Sequence, residues 1–384
     1  MTTIEEPFRE GSAPFQRELR FRRRDGEHAA PFPRILEGGG EAVGEYLAAA
    51  NALATRGDTL RRLLSESGGA IQFKGTPLRT AEDFSAFLHV LAQGSGWTAH
   101  VDKGLMVVRR PYAANVATAN EGPSDQEIGS HNEYGLSAHY PSYIAFFCLS
   151  EPEVGGATPI ASSFELRERL EEEVPTYMEA IEREGLSFAI HHPREIIAGH
   201  LQGNGVFSAN AFGPPDGNLT GTSEVEKRAI VERNVEALAR EDGWAPGLPQ
   251  EEPVWRRRGY SALWQDDGSL LVKQRVPGVR MHPAFGVPTY FNNVHNRLHY
   301  ADMYKREVAA GKATLLQLPP EIVGESGERA LQSDWVEAVR RVTGEAQVDV
   351  TWRVGDVLLL DNLAVQHGRR PWRGDRRLLA SLWD

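Results

Sequence analysis

The chain has 384 residues and a formal net charge of −11, which does not suit a general nucleic-acid binder, because phosphate contacts call for a basic face. No apolar run approaches the roughly 20 residues of a membrane span, and the charged stretch Arg20 to Arg24 breaks up any secretory signal near the start. The single cysteine, Cys148, excludes an internal disulfide or a zinc site of several thiolates and suits a reducing cytoplasm. Chemistry on a small molecule is the class that remains.

In chain order, a helix is expected over about Glu41 to Thr55. Another follows Thr80, where Thr80 and Asp83 form a capping pair ahead of Phe84, Phe87, Leu88 and Leu91. Strand signals then fall at Leu105 to Arg109 and at Tyr143 to Cys148, whose apolar setting reads Cys148 as a buried core thiol. Ser162 with Glu165 opens a third helix, and Ser187 to His191 reads as a strand. From about Pro193 to His282 the pattern is hardest to read. It holds a Gly/Pro-rich stretch, a helix opened by Ser223 with Glu226, and a strand signal at Ser269 to Lys273, and it is expected to be an insertion or lid. Further strands are expected at Pro288 to Asn292, Val348 to Arg353, Asp356 to Asp361 and Arg377 to Trp383, with a helix near Glu328 to Thr343. Many short strands separated by Gly and Pro imply a mainly β fold with peripheral helices, an antiparallel barrel or jelly roll. One elaborated domain is expected, with residues 1–69 as an N-terminal extension carrying a buttressing helix and residues 70–384 as the barrel, the insertion lying at about 193–282. No phosphate-binding glycine motif occurs, which disfavours a doubly wound nucleotide fold.

The chemistry concentrates in Ser130-His131-Asn132-Glu133-Tyr134. In an extended segment residues i and i+2 share a face, so His131 and Glu133 can reach one metal ion. A third ligand is expected from His367, just after the apolar run Val357 to Leu360. Two imidazoles and a carboxylate form the facial triad that leaves positions open on iron(II) for a chelating oxoacid and O2. A lone H-x-E pair is a common accident; its weight here comes from its company. Gly155-Gly156-Ala157-Thr158 follows it, and His367 is itself followed by clustered arginines.

With Phe73-Lys74-Gly75, Tyr290-Phe291-Asn292 and the run from Gly355 through Arg377, these blocks resemble the TauD/TfdA family of iron(II)/2-oxoglutarate dioxygenases, in its SyrP-like and clavaminate synthase-like branch. The resemblance implies a double-stranded β-helix core, with His131, Glu133 and His367 as iron ligands and with 2-oxoglutarate and O2 as cosubstrates. It implies that Thr158 and an arginine hold the far carboxylate of 2-oxoglutarate, a task suited to a planar guanidinium. Arg376 and Arg377 both qualify, and since adjacent strand residues face opposite sides, only one is expected to point inward. The intact carboxylate of Glu133 argues against halogenation, since halogenating relatives carry a small residue there. The second arginine of taurine-type members is missing, its place held by Ala380 or Ser381, so sulfonate chemistry is disfavoured.

On the substrate side the candidates are Asn292, His139 and Lys74. Arg369, Arg370 and Arg373 are expected to be structural or at the rim. The function these readings imply is hydroxylation of an unactivated C–H bond in a small amino-acid-like substrate, free or presented by a carrier protein. The alternatives are a hydroxylase or desaturase of a betaine-like or carboxylate molecule and, in a different class, a metal-binding barrel that senses or binds without catalysis.

Overall fold

The computed structural model describes residues 7–56, 58–119, 122–197, 203–241, 253–311 and 318–384. Two antiparallel-dominated sheets carry the site. The larger has eight strands in the order Phe8–Glu10, Arg34–Gly38, Ala70–Phe73, Val357–Asp361, Tyr143–Ser150, Arg377–Trp383, Val116–Thr118 and Pro111–Ala113; only Arg34–Gly38 and Ala70–Phe73 run parallel. The smaller has four, in the order Val348–Val350, Thr158–Ser162, Val365–Arg369 and Ile128–His131.

The apolar runs at the centre of the larger sheet follow from burial on both faces. Along Tyr143–Ser150, Ile144, Phe146 and Cys148 face the smaller sheet and pack with Ile160, Val348, Val350 and Val365. The intervening Ala145 and Phe147 face the opposite way, against helices Val43–Thr55 and Ala81–Ser95 through Leu53, Phe84, Phe87 and Leu88. Period-two alternation thus gives one strand two cores. Cys148 is fully buried as expected, and burial pushes its thiol up to about 12.

The helix starts legible in the sequence are present. Thr80 accepts from Asp83 N while the Asp83 carboxylate returns to Thr80 N, and Ser223 with Glu226 does the same ahead of helix Glu224–Arg240. Ser162 caps helix Ser163–Glu173, and the fifth expected helix runs over Ser333–Ala346. A five-stranded sheet in the order Ser261–Trp264, Leu270–Val276, Leu186–His192, Glu321–Ile322 and Arg329–Ala330 takes up part of the region that was hard to read.

Three strand expectations need correction. Leu105 to Arg109 is not a strand: Gly104 N and Leu105 N donate to Ala211 O and Asn210 O, and Asn204 N donates to Met106 O, so an irregular loop satisfies this backbone. Pro288 to Asn292 shortens to Pro288–Thr289, because Asn293 caps a helix over Val294–Ala309 that the sequence reading missed. Val348 to Arg353 shortens to Val348–Val350. Among the described residues no helix is long and apolar enough to cross a membrane.

Candidate metal and oxoacid site

A cavity opens between the two sheets. Its walls include Met106, Val107, Ile128, Leu136, Phe146 and Leu378, and its polar lining includes His131, Glu133, Thr158, His367 and Arg376. Strand register explains why these residues meet. His367 pairs with His131 on one side and with Ile160 on the other, and paired residues share a face, as do Ile160 and Thr158 two residues apart. His131, His367 and Thr158 therefore look into one space, while Phe146 from the facing sheet sets its ring 5.0 Å from that of His367.

Glu133 reaches the histidines by a different device from the extended segment expected. The strand ends at His131, and Asn132 to Gly135 form a tight turn closed by Gly135 N on Asn132 O, with Tyr134 at φ +54°. Asn362, fully buried, clamps this turn: its Oδ1 accepts from Glu133 N at 2.7 Å, and its Nδ2 donates to Glu133 O at 2.9 Å and to Pro141 O at 2.7 Å. Asn132 ties the same turn to the rest of the site, donating to Asn362 O and accepting from Asn292 N. The Oε2 atom of Glu133 then lies 3.4 Å from His367 Nε2 and 3.9 Å from His131 Nε2. One ligand atom from each of the three residues lies within 4.8 Å of the others.

The electrostatics suit a metal. His131 Nδ1 sits 2.9 Å from Gly129 O, an arrangement that puts the ring proton on Nδ1 and leaves a lone pair on Nε2. Burial, with His367 beside it, pulls His131 down to about 4, so the ring is neutral near pH 7. Burial alone would raise Glu133, but the Arg109 guanidinium and the two histidines outweigh it and hold the carboxyl well below its usual range. Two buried imidazoles and one carboxylate converging in one cavity are a donor set that fits iron(II).

Arg376, one residue before the final strand Arg377–Trp383, and Arg377, its first residue, point apart. Arg377 points to solvent and pairs with Asp375 at 2.8 Å. Arg376 lines the cavity, donates from Nε to Gly156 O at 2.9 Å, and lies 5.3 Å from the Trp372 ring. Burial, with Arg369 nearby, lowers it to about 10, so it stays charged near neutrality, and among the described residues it pairs with no carboxylate. Gly156 is required here twice: its φ is +70°, and a Cβ would come within 2.8 Å of Arg376 Cδ. Thr158 Oγ1 accepts from Trp352 Nε1 at 3.0 Å, which leaves its hydroxyl proton free to donate.

The family model described as "Taurine catabolism dioxygenase TauD, TfdA family" matches residues 39–383. The chain belongs to the TauD/TfdA dioxygenase family. A clavaminate synthase-like protein of Arabidopsis thaliana is 29% identical to this dioxygenase over 84% of this chain and 83% of its own. The dapdiamide synthesis protein DdaC of Enterobacter agglomerans is 24% identical over 84% of each. Among solved structures, the PvcB protein from Pseudomonas aeruginosa is 15% identical, covering 97% of this chain and 92% of that one with a TM-score of 0.44. The cofactors of such an enzyme are iron(II), 2-oxoglutarate and O2, and the donor set and free cation described above fit them.

Within this TauD/TfdA dioxygenase the three substrate candidates lie away from the cavity. Asn292 is fully buried and spends its amide on Gly278 O and Val294 N. His139 bridges Val101 O and Glu241, and Lys74 lies over the Phe15 ring. The cavity is lined instead by Arg109, and by Asn293, Asn296 and Tyr300 from the start of helix Val294–Ala309. The i, i+3 and i+7 spacing of Asn293, Asn296 and Tyr300 puts them on one helical face. Arg369 also lines the cavity, with its guanidinium on Gly122 O, Pro123 O and Gln126 O, while Arg370 binds Asp349 and Glu127 outside it.

Proposed function

We propose that this dioxygenase hydroxylates an unactivated C–H bond of a small amino-acid-like molecule, free or presented by a carrier protein, in specialised metabolism. The observation that carries the reading is the single cavity with His131, Glu133 and His367 at one end and Arg376, without a carboxylate partner among the described residues, at the other. In this reading the two facing sheets are a double-stranded β-helix, residues 1–69 extend it, and the region of about 193–282 is an insertion or lid. His131, Glu133 and His367 would hold iron(II), while Arg376 and Thr158 would hold the far carboxylate of 2-oxoglutarate. When bound, iron(II) with 2-oxoglutarate and O2 supplies an oxidant for strong C–H bonds, with succinate and CO2 as coproducts.

The chain's own residues supply position and dryness. Phe146, Ile128 and Leu378 exclude water, and Arg109, Asn293, Asn296 and Tyr300 offer polar contacts to a substrate with carboxylate or amide groups. The similarity to a protein named for dapdiamide synthesis supports a biosynthetic role for an amino-acid-like substrate. The buried, unreactive Cys148 agrees with a cytoplasmic setting.

The test is anaerobic addition of iron(II) and 2-oxoglutarate to purified apoprotein. A weak visible charge-transfer band that vanishes in His367→Ala is the expected result, followed by succinate release stimulated by amino acids or their amides. A folded wild type that gives no band overturns the reading.

A further inference from the structure

Arg109 touches the site from outside the ligand set. It comes from the irregular segment that replaces the expected strand, its side chain is 12% exposed, and its Nη2 donates to Glu133 Oε1 at 2.5 Å. The other carboxylate oxygen, Oε2, faces the two histidine Nε2 atoms. The two oxygens of Glu133 thus have separate tasks, one turned to the arginine and one to the space between the imidazoles.

The chemistry gives this division a consequence. A carboxylate binds a metal through one oxygen or through both, and binding through both takes a further coordination position. An iron(II) site of this kind needs three open positions, two for the chelating oxoacid and one for O2. A guanidinium is suited to hold one oxygen back, because its planar N–H groups have fixed directions and it never loses its charge. Asn362 fixes the Glu133 backbone, and Arg109 fixes the free end of its side chain.

We propose that Arg109 is a positioning residue for the metal-binding carboxylate: it confines Glu133 to ligation through Oε2 and so keeps a coordination position open. The inference rests on the oxygenase reading. Its test needs no substrate. Wild type, Arg109→Gln and Arg109→Lys are titrated anaerobically with iron(II) alone and then with 2-oxoglutarate, reading the iron(II) Kd and the wavelength of the charge-transfer band, with thermal melts as the check of folding.

Loss of a hydrogen-bonded partner of a metal ligand weakens metal affinity by about 10- to 100-fold. A Kd raised by that factor in Arg109→Gln, with a displaced band, and intermediate values in Arg109→Lys, are the expected result. A purely structural role would lower the melting temperature and leave the band of the folded fraction in place, which overturns the proposal. If Arg109→Gln does not fold, Arg109→Lys decides, since an ammonium cannot reproduce the fixed N–H directions; an unchanged Kd and band in it overturn the proposal as well. Wild type that binds no iron(II) overturns the oxygenase reading and this inference together, whereas equal binding by wild type and variants overturns this inference alone.

Discussion

The two ends of the cavity are built on opposite principles. At the metal end nearly every polar group is held before any ligand arrives: Asn362 grips the Glu133 backbone, Arg109 grips its side chain, and Gly129 O takes both His131 Nδ1 and Asn296 Nδ2. His367 Nδ1 and Arg109 Nε are exceptions, buried without a hydrogen-bond partner among the described residues. At the candidate oxoacid end Arg376 makes a single hydrogen bond among the described residues, to Gly156 O, and lies beside the Trp372 ring, which also faces Arg369 at 4.5 Å. The contrast teaches where each end gets its order. Metal ligands must be placed within tenths of an ångström, so the protein fixes them in advance. A carboxylate brings its own two acceptors to a guanidinium, so that end can leave its bonds to be completed on binding.

The largest effect that would sharpen this contrast is expected at Arg376. Arg376→Met removes the cation that the incoming carboxylate completes, and losing one partner of a buried charge pair costs roughly 2–5 kcal/mol. The 2-oxoglutarate affinity, measured by anaerobic titration of the charge-transfer band, is expected to fall by about 100-fold or more, with iron(II) affinity nearly unchanged. A comparable loss of iron(II) binding would break the contrast, because it would show the two ends to be one coupled network. Asn362→Ala probes the other end and is expected to be smaller. It strands buried groups of the Glu133 turn, at roughly 1–3 kcal/mol, read as a lower urea midpoint of the metal-free protein. It should also weaken iron(II) binding by about tenfold while the 2-oxoglutarate affinity of the iron-loaded protein stays close to wild type.

The candidate ligands are more legible in the sequence than what holds them. His131, Glu133 and His367 were legible because their residue types and order are unusual, and Tyr143–Ser150 and Val357–Asp361 were legible because burial on both faces writes an unbroken apolar run. Helix Val294–Ala309 was not, since it turns Asn293, Asn296 and Tyr300 to the cavity and buries Arg297, so polar residues interrupt its apolar period on the buried side. Asn292 lies one residue before the helix N-terminus and spends its amide on the backbone turn, while its neighbour Asn293 lines the cavity. Arg109 carried no local signal. Its segment has strand-like composition, but the backbone on its two sides is satisfied irregularly, by the loop at 204–211 at Gly104 to Met106 and by Thr118 at Arg110.

Arg377 offers the smallest and most discriminating effect. It stands next to Arg376, and composition alone gives no reason to prefer either. The strand Arg377–Trp383 begins at Arg377 and sends its side chain outward, 55% exposed, to a still more exposed Asp375. Exposed ion pairs of that kind contribute little, because water and salt screen them and two long side chains must be ordered to form them. Arg377→Met is therefore expected to change the 2-oxoglutarate Kd by less than about twofold, where Arg376→Met changes it by two orders of magnitude or more. If the two effects were reversed, the strand would have to enter the cavity with the opposite face. Leu378, which lines the cavity, would then turn away from it, and so would the residues that alternate with it along the strand. The pair of variants thus tests the register of the final strand as well as the identity of the cosubstrate arginine.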